Sequence, residues 1–173
     1  MAQFLPAFDR TMRFEDPQLA YALVPDNKGD VISGINSLFF PKQFDAIQAI
    51  PQAQRGAAVR YFYHITFWQP NFLAGISDQA LANSVFDSEV NQGPGTANMM
   101  LQRACNVLCP AGKELAVDGA IGPVTLSMVN SLPPADLLDR FIKLRIAAYT
   151  HAAALVPDGE ACLPGWIKRA EAQ

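Results

Sequence analysis

Prolines and glycines cut this chain into helix-length pieces, and that punctuation constrains its fold more than any other feature. Proline lacks the amide proton that an interior helical turn needs but suits a first turn, so it reads as a helix opener or a stop. Pro6 stands near the start of an amphipathic segment over residues 2–20, and Pro17 marks a break. Pro41 opens a short segment to Ile50. Pro51-Gln52 opens a longer one to Trp68, with Ala57, Tyr61, Ile65 and Trp68 near helical spacing. Ser77-Asp78 caps a helix that stops at Gly93-Pro94-Gly95, and Thr96 caps the next. Gly122-Pro123 starts another. Pro133-Pro134 opens a last long helix with the apolar stripe Leu137, Leu138, Phe141, Leu144 and Ala148. The tail closes on Pro164-Gly165-Trp166, with Trp166 pinning it to the core. Strand signals are confined to one place, so the expected fold is mainly α with one small β-hairpin or loop near residues 26–36.

Bulk properties set the outer limits. Half of the 173 residues are hydrophobic and only 17% are charged, which predicts one packed domain, alone or with a small appended lobe, and not a disordered chain. The net charge is −3, and the few Lys and Arg are dispersed. Nucleic-acid binding, which rests on clustered phosphate neutralisation, is not expected. No cofactor motif and no phosphate-cradling glycine loop is present. With two histidines and three cysteines at non-metal spacing, no metal site is expected, and Cys105, Cys109 and Cys162 read as thiols acting as small hydrophobes. No basic segment followed by an apolar run opens the sequence. The expectation is synthesis in the cytoplasm without a signal peptide.

The chemistry concentrates near the start. Phe4, Leu5, Phe8, Met12 and Leu19 surround Glu15 with apolar residues at helical spacing. Taking water from a carboxylate favours its protonated form, and a protonated carboxyl can serve as a general acid. The acidic, glycine-bearing segment Asp26-Asn27-Lys28-Gly29-Asp30 follows, and it ends at Gly34-Ile35. Asp26 is the first choice for a second carboxylate and Asp30 the next, with turn capping as the competing role for Asp30. Tyr63 and Trp68 read either as a stacking floor for sugars or as core. Asn91 and Gln92 read either as hydrogen-bonding partners of an N-acetyl group or as helix-end residues. Asp87 reads as a buried hydrogen-bonding residue and not as a catalyst.

The order of these landmarks resembles glycoside hydrolase family 108, N-acetylmuramidases with a C-terminal peptidoglycan-binding-like region. The resemblance runs through Phe14-Glu15, Asp26, Gly29, Gly34-Ile35, Tyr63, Trp68, the run from Phe86 to Gly93, Asp118-Gly119, Arg145, Tyr149 and Gly165-Trp166. It implies a lysozyme-like helical fold, a catalytic region over 1–92 and a peptidoglycan-binding-like region over 93–173 in one compact unit. It also implies cleavage of the β-1,4 bond between N-acetylmuramic acid and N-acetylglucosamine, with Glu15 as general acid. Peptidoglycan is then the partner of a monomer, with delivery machinery or an immunity protein beside it. Release as a phage-type endolysin, or export as a secreted effector, would bring it to the periplasm or wall. Two departures stand out: Asp16-Pro17 replaces the family's glycine pair after the acid, and Val31 stands where a Thr is common. They favour the alternative of a non-catalytic cell-wall-binding or protein-interaction module.

Overall fold

The computed structural model describes residues 1–172. Its helices are α1 (Phe4–Glu15), α2 (Pro41–Gln48), α3 (Gly56–Tyr63), α4 (Gln79–Gln92), α5 (Pro94–Leu108), α6 (Pro123–Ser131), α7 (Pro134–Ala153) and α8 (Gly159–Glu171). Three two-residue strands, β1 (Leu23–Val24), β2 (Val31–Ile32) and β3 (Ile35–Asn36), form an antiparallel meander in that order. Val24 faces Val31, and Ile32 faces Ile35. Full burial of Ile32 and Ile35 fixes the register, because a one-residue slip would turn both outward. The protein is mainly α, with its small β element in the expected segment.

Proline does what the spacing predicts at Pro41, Pro123 and Pro134, each in a first helical turn. The Asp78 carboxylate caps α4 by accepting the Leu81 amide at 2.7 Å. One boundary moves: α5 begins at Pro94, two residues before Thr96, because Gly93 turns the corner at a φ of +85°.

Two segments depart from the sequence reading. Between residues 51 and 68 the chain makes a 3-10 turn, then α3, then a wider π turn over His64–Trp68. A π turn takes more residues per revolution and shifts the helical phase. The buried face is therefore Val59, Phe62, Tyr63, Phe67 and Trp68, while Tyr61 stays 65% exposed. The second departure is α8, a helix that runs straight through Pro164 and Gly165. The turn that joins it to α7 is so tight that a Cβ on Gly159 would collide with the Ala153 backbone.

The core is an aromatic cluster in which Phe4, Phe8, Tyr63, Phe67, Trp68 and Phe86 meet edge-on or tilted. α4 runs through the middle, and its central turns are buried on all sides from Val85 to Glu89. That placement carries Ser84, Asp87, Ser88 and Glu89 out of water, and buried polar groups need partners. α1 lies alongside α4 in register. The Gln3 amide donates to Gln79 Oε1 at 2.7 Å and Thr11 Oγ1 donates to Asp87 Oδ1 at 3.2 Å, the same offset of 76 residues. Among the described residues no helix is long and apolar enough to cross a membrane, and all three cysteines are free thiols. Burial pushes the Cys105 thiol up to about 12.

Glu89 yields a stability test. Burial pushes its carboxyl well above the usual range, opposed only by a hydrogen bond from Asn71 Nδ2 at 3.1 Å. The folded chain therefore holds a proton that the unfolded chain releases near pH ~4. Stability from this group is full below that pH and is lost as pH rises through the folded value. Glu89→Gln keeps an oxygen for Asn71 and removes the titration. Urea unfolding between pH 4 and 8 should show wild type weakening with pH while the variant stays flatter and is the more stable at pH 8.

Candidate functional site

Glu15 is the last residue of α1, and its setting explains why the helix stops there. Asp16 leaves helical geometry, and Pro17 follows. The Asp16 carboxylate turns back to accept the Ala20 amide at 3.0 Å, the Tyr21 amide at 2.8 Å and the Ser33 hydroxyl at 2.7 Å. It therefore ties the 17–21 turn to the β2–β3 corner, and both of its oxygens are engaged there. The bulk introduced by Asp16-Pro17 goes into this loop. Arg55 Nη1 and Gln52 Nε2 hold the same loop through the Tyr21 and Ala20 carbonyls.

Glu15 itself is 18% exposed, and Arg169 Nη2 of α8 donates to its Oε1 at 2.7 Å. The Arg169 guanidinium also donates Nε and Nη2 to Asp87 and stacks over the Phe14 ring at 5.1 Å. Asp87, fully buried on α4, takes a further bond from Arg145 Nη2 of α7 at 2.8 Å. Burial alone would raise the Asp87 carboxyl, but Arg169 and Arg145 hold it below the usual carboxylate range. Burial works against the Arg169 charge too, and Asp87 and Glu15 more than offset it, leaving Arg169 above its ordinary value. The chain continues from Arg145 Nη2 to the Tyr149 hydroxyl at 3.1 Å and from that hydroxyl to Asn91 Oδ1 at 2.7 Å. One connected polar path thus links Glu15, Arg169, Asp87, Arg145, Tyr149 and Asn91.

The other side of Glu15 is formed by the β2–β3 corner. Gly34, at a φ of +80°, lies so close that a Cβ on it would sit 2.5 Å from Glu15 Oε2 and from the Tyr63 hydroxyl. Only glycine permits so close an approach. Tyr63 is buried and donates to the Ser33 carbonyl at 2.8 Å. Burial, then the Glu15 charge, push its phenol well above the ordinary value.

The structure sorts the expected site residues. Tyr63 reaches the Glu15 neighbourhood by its hydroxyl, and its ring is core. Trp68 is 3% exposed inside the aromatic cluster, so core packing is its role and it offers no sugar-stacking face. Asp26 takes the capping role expected of Asp30: its Oδ1 accepts the Lys28 amide at 2.7 Å. Asp30 is half-buried directly before β2, with no hydrogen bond to its carboxylate among the described residues. Both acids belong to the turn at one end of β2, whereas the Gly34 corner that touches Glu15 is at the other. Asn91 and Gln92 line a surface cleft of about 460 Å³ with Tyr149 and Trp166. Sequence reasoning missed Arg169, because a lone arginine near the end of a chain carries no periodic signal. It also missed the loop-anchoring role of Asp16. Among the described residues no cluster of three His, Cys, Asp or Glu is placed to hold a metal.

Comparison with known proteins adds two findings. Residues 96–171 match the family model described as a predicted peptidoglycan domain. That stretch, less than half of the chain, holds Arg145, Tyr149, Trp166 and Arg169, the last of which braces Glu15. Among solved structures, SagA of Brucella abortus superposes with a TM-score of 0.69 at 18% identity, over 96% of this chain and 88% of that one. The two share a fold. No match was found among the curated proteins.

Removing one member of a buried ion cluster strands the others. Asp87→Asn leaves Arg145 and Arg169 without their shared anion, and the expected loss is about 3–5 kcal/mol of folding stability. Chemical denaturation at pH 7 measures it, and a loss within experimental error would show the cluster to be energetically idle.

Proposed function

We propose that the chain is a peptidoglycan hydrolase, an N-acetylmuramidase that cleaves the β-1,4 bond between N-acetylmuramic acid and N-acetylglucosamine. The observation that carries this reading is the arrangement of Glu15, with one carboxyl oxygen held by Arg169 and the other packed against the Gly34 corner. Glycoside hydrolysis needs a proton at the leaving oxygen and a means of stabilising positive charge at the sugar ring. In this reading Oε2 carries the proton to the glycosidic oxygen, while Arg169 fixes the carboxyl plane through Oε1. A fixed plane contributes because a donor must lie within hydrogen-bond reach of the atom it protonates. Arg169 itself rests on Asp87, so the donor is oriented by a buried anion two contacts away.

The second carboxylate in this proposal is Asp30. Asp26 is committed to its turn, whereas the Asp30 carboxylate is half-buried and has no such commitment. The peptidoglycan-domain match over 96–171 supports the substrate class. That same match leaves Glu15 outside it, which favours a second reading: a wall-binding module with a degenerate lysozyme-like site. In either case action in the periplasm or wall, after phage-type release or secretion, belongs to the proposal.

Release of new reducing ends from purified peptidoglycan separates the two. Wild type should cut, and Glu15→Gln should lose at least about a hundredfold in kcat, the usual scale of one general acid. Sedimentation of the protein with peptidoglycan, without new reducing ends, would establish the binding module.

Two further variants test the geometry. Gly34→Ala should fold with a loss of about 1 kcal/mol or more from the left-handed backbone and should cost most of the activity by displacing Glu15. Asp30→Asn should reduce turnover more than Asp26→Asn, since Asn serves as well as Asp in a turn. The reverse order would return the second-carboxylate role to Asp26.

A further inference from the structure

Three helices each contribute two residues one turn apart to a layered arrangement. α4 supplies Asp87 and Asn91, α7 supplies Arg145 and Tyr149, and α8 supplies Arg169 and Trp166. The first of each pair builds the buried ion cluster. The second lines the cleft of about 460 Å³, a volume within the range of small-ligand sites. Its position follows from the pairing of α1 with α4. The constant offset of 76 residues that joins Gln3 to Gln79 and Thr11 to Asp87 places Glu15 level with Asn91. Glu15 and the Asn91 edge of the cleft therefore lie toward the same end of the bundle.

The hydrogen bonding fixes what this cleft presents. A guanidinium can only donate, so the Tyr149 oxygen accepts from Arg145 and must spend its own proton on Asn91. That sets the Asn91 amide with its oxygen inward and its NH2 as the unspent group. Gln92 is arranged the same way, with its Oε1 accepting from the Ser88 hydroxyl at 2.9 Å. Two amide donors therefore stand side by side at the end of α4. Facing them are the half-buried Trp166, tilted against Tyr149 with ring centroids 5.6 Å apart, and the methyl groups of Ala148 and Ala152. A ligand matching this surface needs a carbonyl oxygen next to a small apolar group, on a ring that can lie against an aromatic face.

We propose that this cleft is a glycan subsite that recognises the acetamido group of an N-acetylated amino sugar. The carbonyl accepts from Asn91 Nδ2 and Gln92 Nε2, and the methyl lies against Ala148, Ala152 and the indole. The subsite rests on the glycan-hydrolase reading and extends it, since it names the substituent by which the chain tells its substrate from unsubstituted glucans. It also gives the peptidoglycan-related region a part in the Glu15 site.

Calorimetric titration tests this in the Glu15→Gln background, where the probe is not consumed. The probes are the β-1,4 trisaccharide of N-acetylglucosamine and the corresponding trisaccharide of glucose. The acetylated probe should bind and the glucose probe should not bind measurably. Asn91→Asp keeps the acceptor for Tyr149 but removes the donor, and it should weaken the acetylated probe by about tenfold. Gln92→Glu should do likewise, and Trp166→Ala should abolish the preference. Circular dichroism reports whether each variant is folded. If Trp166→Ala is not, the two isosteric variants decide. Equal binding of the two trisaccharides, no binding of either, or wild-type affinity in Asn91→Asp and Gln92→Glu would each overturn the subsite. The hydrolase reading fails separately: discrimination between the probes without release of reducing ends by wild type would leave the subsite standing and remove the enzyme.

Discussion

Asp87 is the residue on which the rest of this structure leans. A carboxylate with no exposed surface is tolerable only when cations meet it, and here Arg145 and Arg169 arrive from α7 and α8 while Thr11 reaches in from α1. Four helices therefore converge on one anion. The arrangement costs desolvation, and ion pairs of this kind are seldom retained for stability alone. In this chain the cluster has two outward connections, one through Arg169 to Glu15 and one through Arg145 and Tyr149 to Asn91. The same buried charge thus orients the candidate catalytic carboxyl and the amide at the mouth of the neighbouring cleft.

A mainly helical chain with one small β element was legible because proline and glycine mark backbone geometry locally. Pro41, Pro123 and Pro134 stand where their stereochemistry requires them, and Asp78 caps the helix it precedes. Where tertiary contacts override local preference, the sequence misleads. Pro164 and Gly165 read as the end of structure, yet Arg169 needs a helix to reach Asp87, and its ion pairs outweigh the missing amide. The π turn at His64–Trp68 is of the same kind. It brings Phe67 and Trp68 into the aromatic cluster, and no spacing rule with a period of 3.6 anticipates it.

The candidate site was half legible. Glu15 stood out because a carboxyl set among apolar residues is unusual, and Asn91 with Gln92 stood out as an amide pair at a helix end. Their surroundings were not visible. Asp16 stood out only as a departure beside the acid, because sequence shows adjacency and not direction. The fold turns its carboxylate toward Ser33 and the Tyr21 amide. Trp68 read as either a sugar platform or core and is core, whereas the half-buried indole is Trp166, far along the chain and against Tyr149. Pairings between distant residues leave no trace in a single sequence.

Glu15 and Arg169 are separated by 154 positions along the chain. Translation proceeds from the amino end, so the acidic side chain emerges from the ribosome long before its guanidinium partner has been made. A polypeptide cut short before Arg169 consequently lacks the brace on Glu15. Until Arg169 has been made, the Glu15 carboxyl has no such partner.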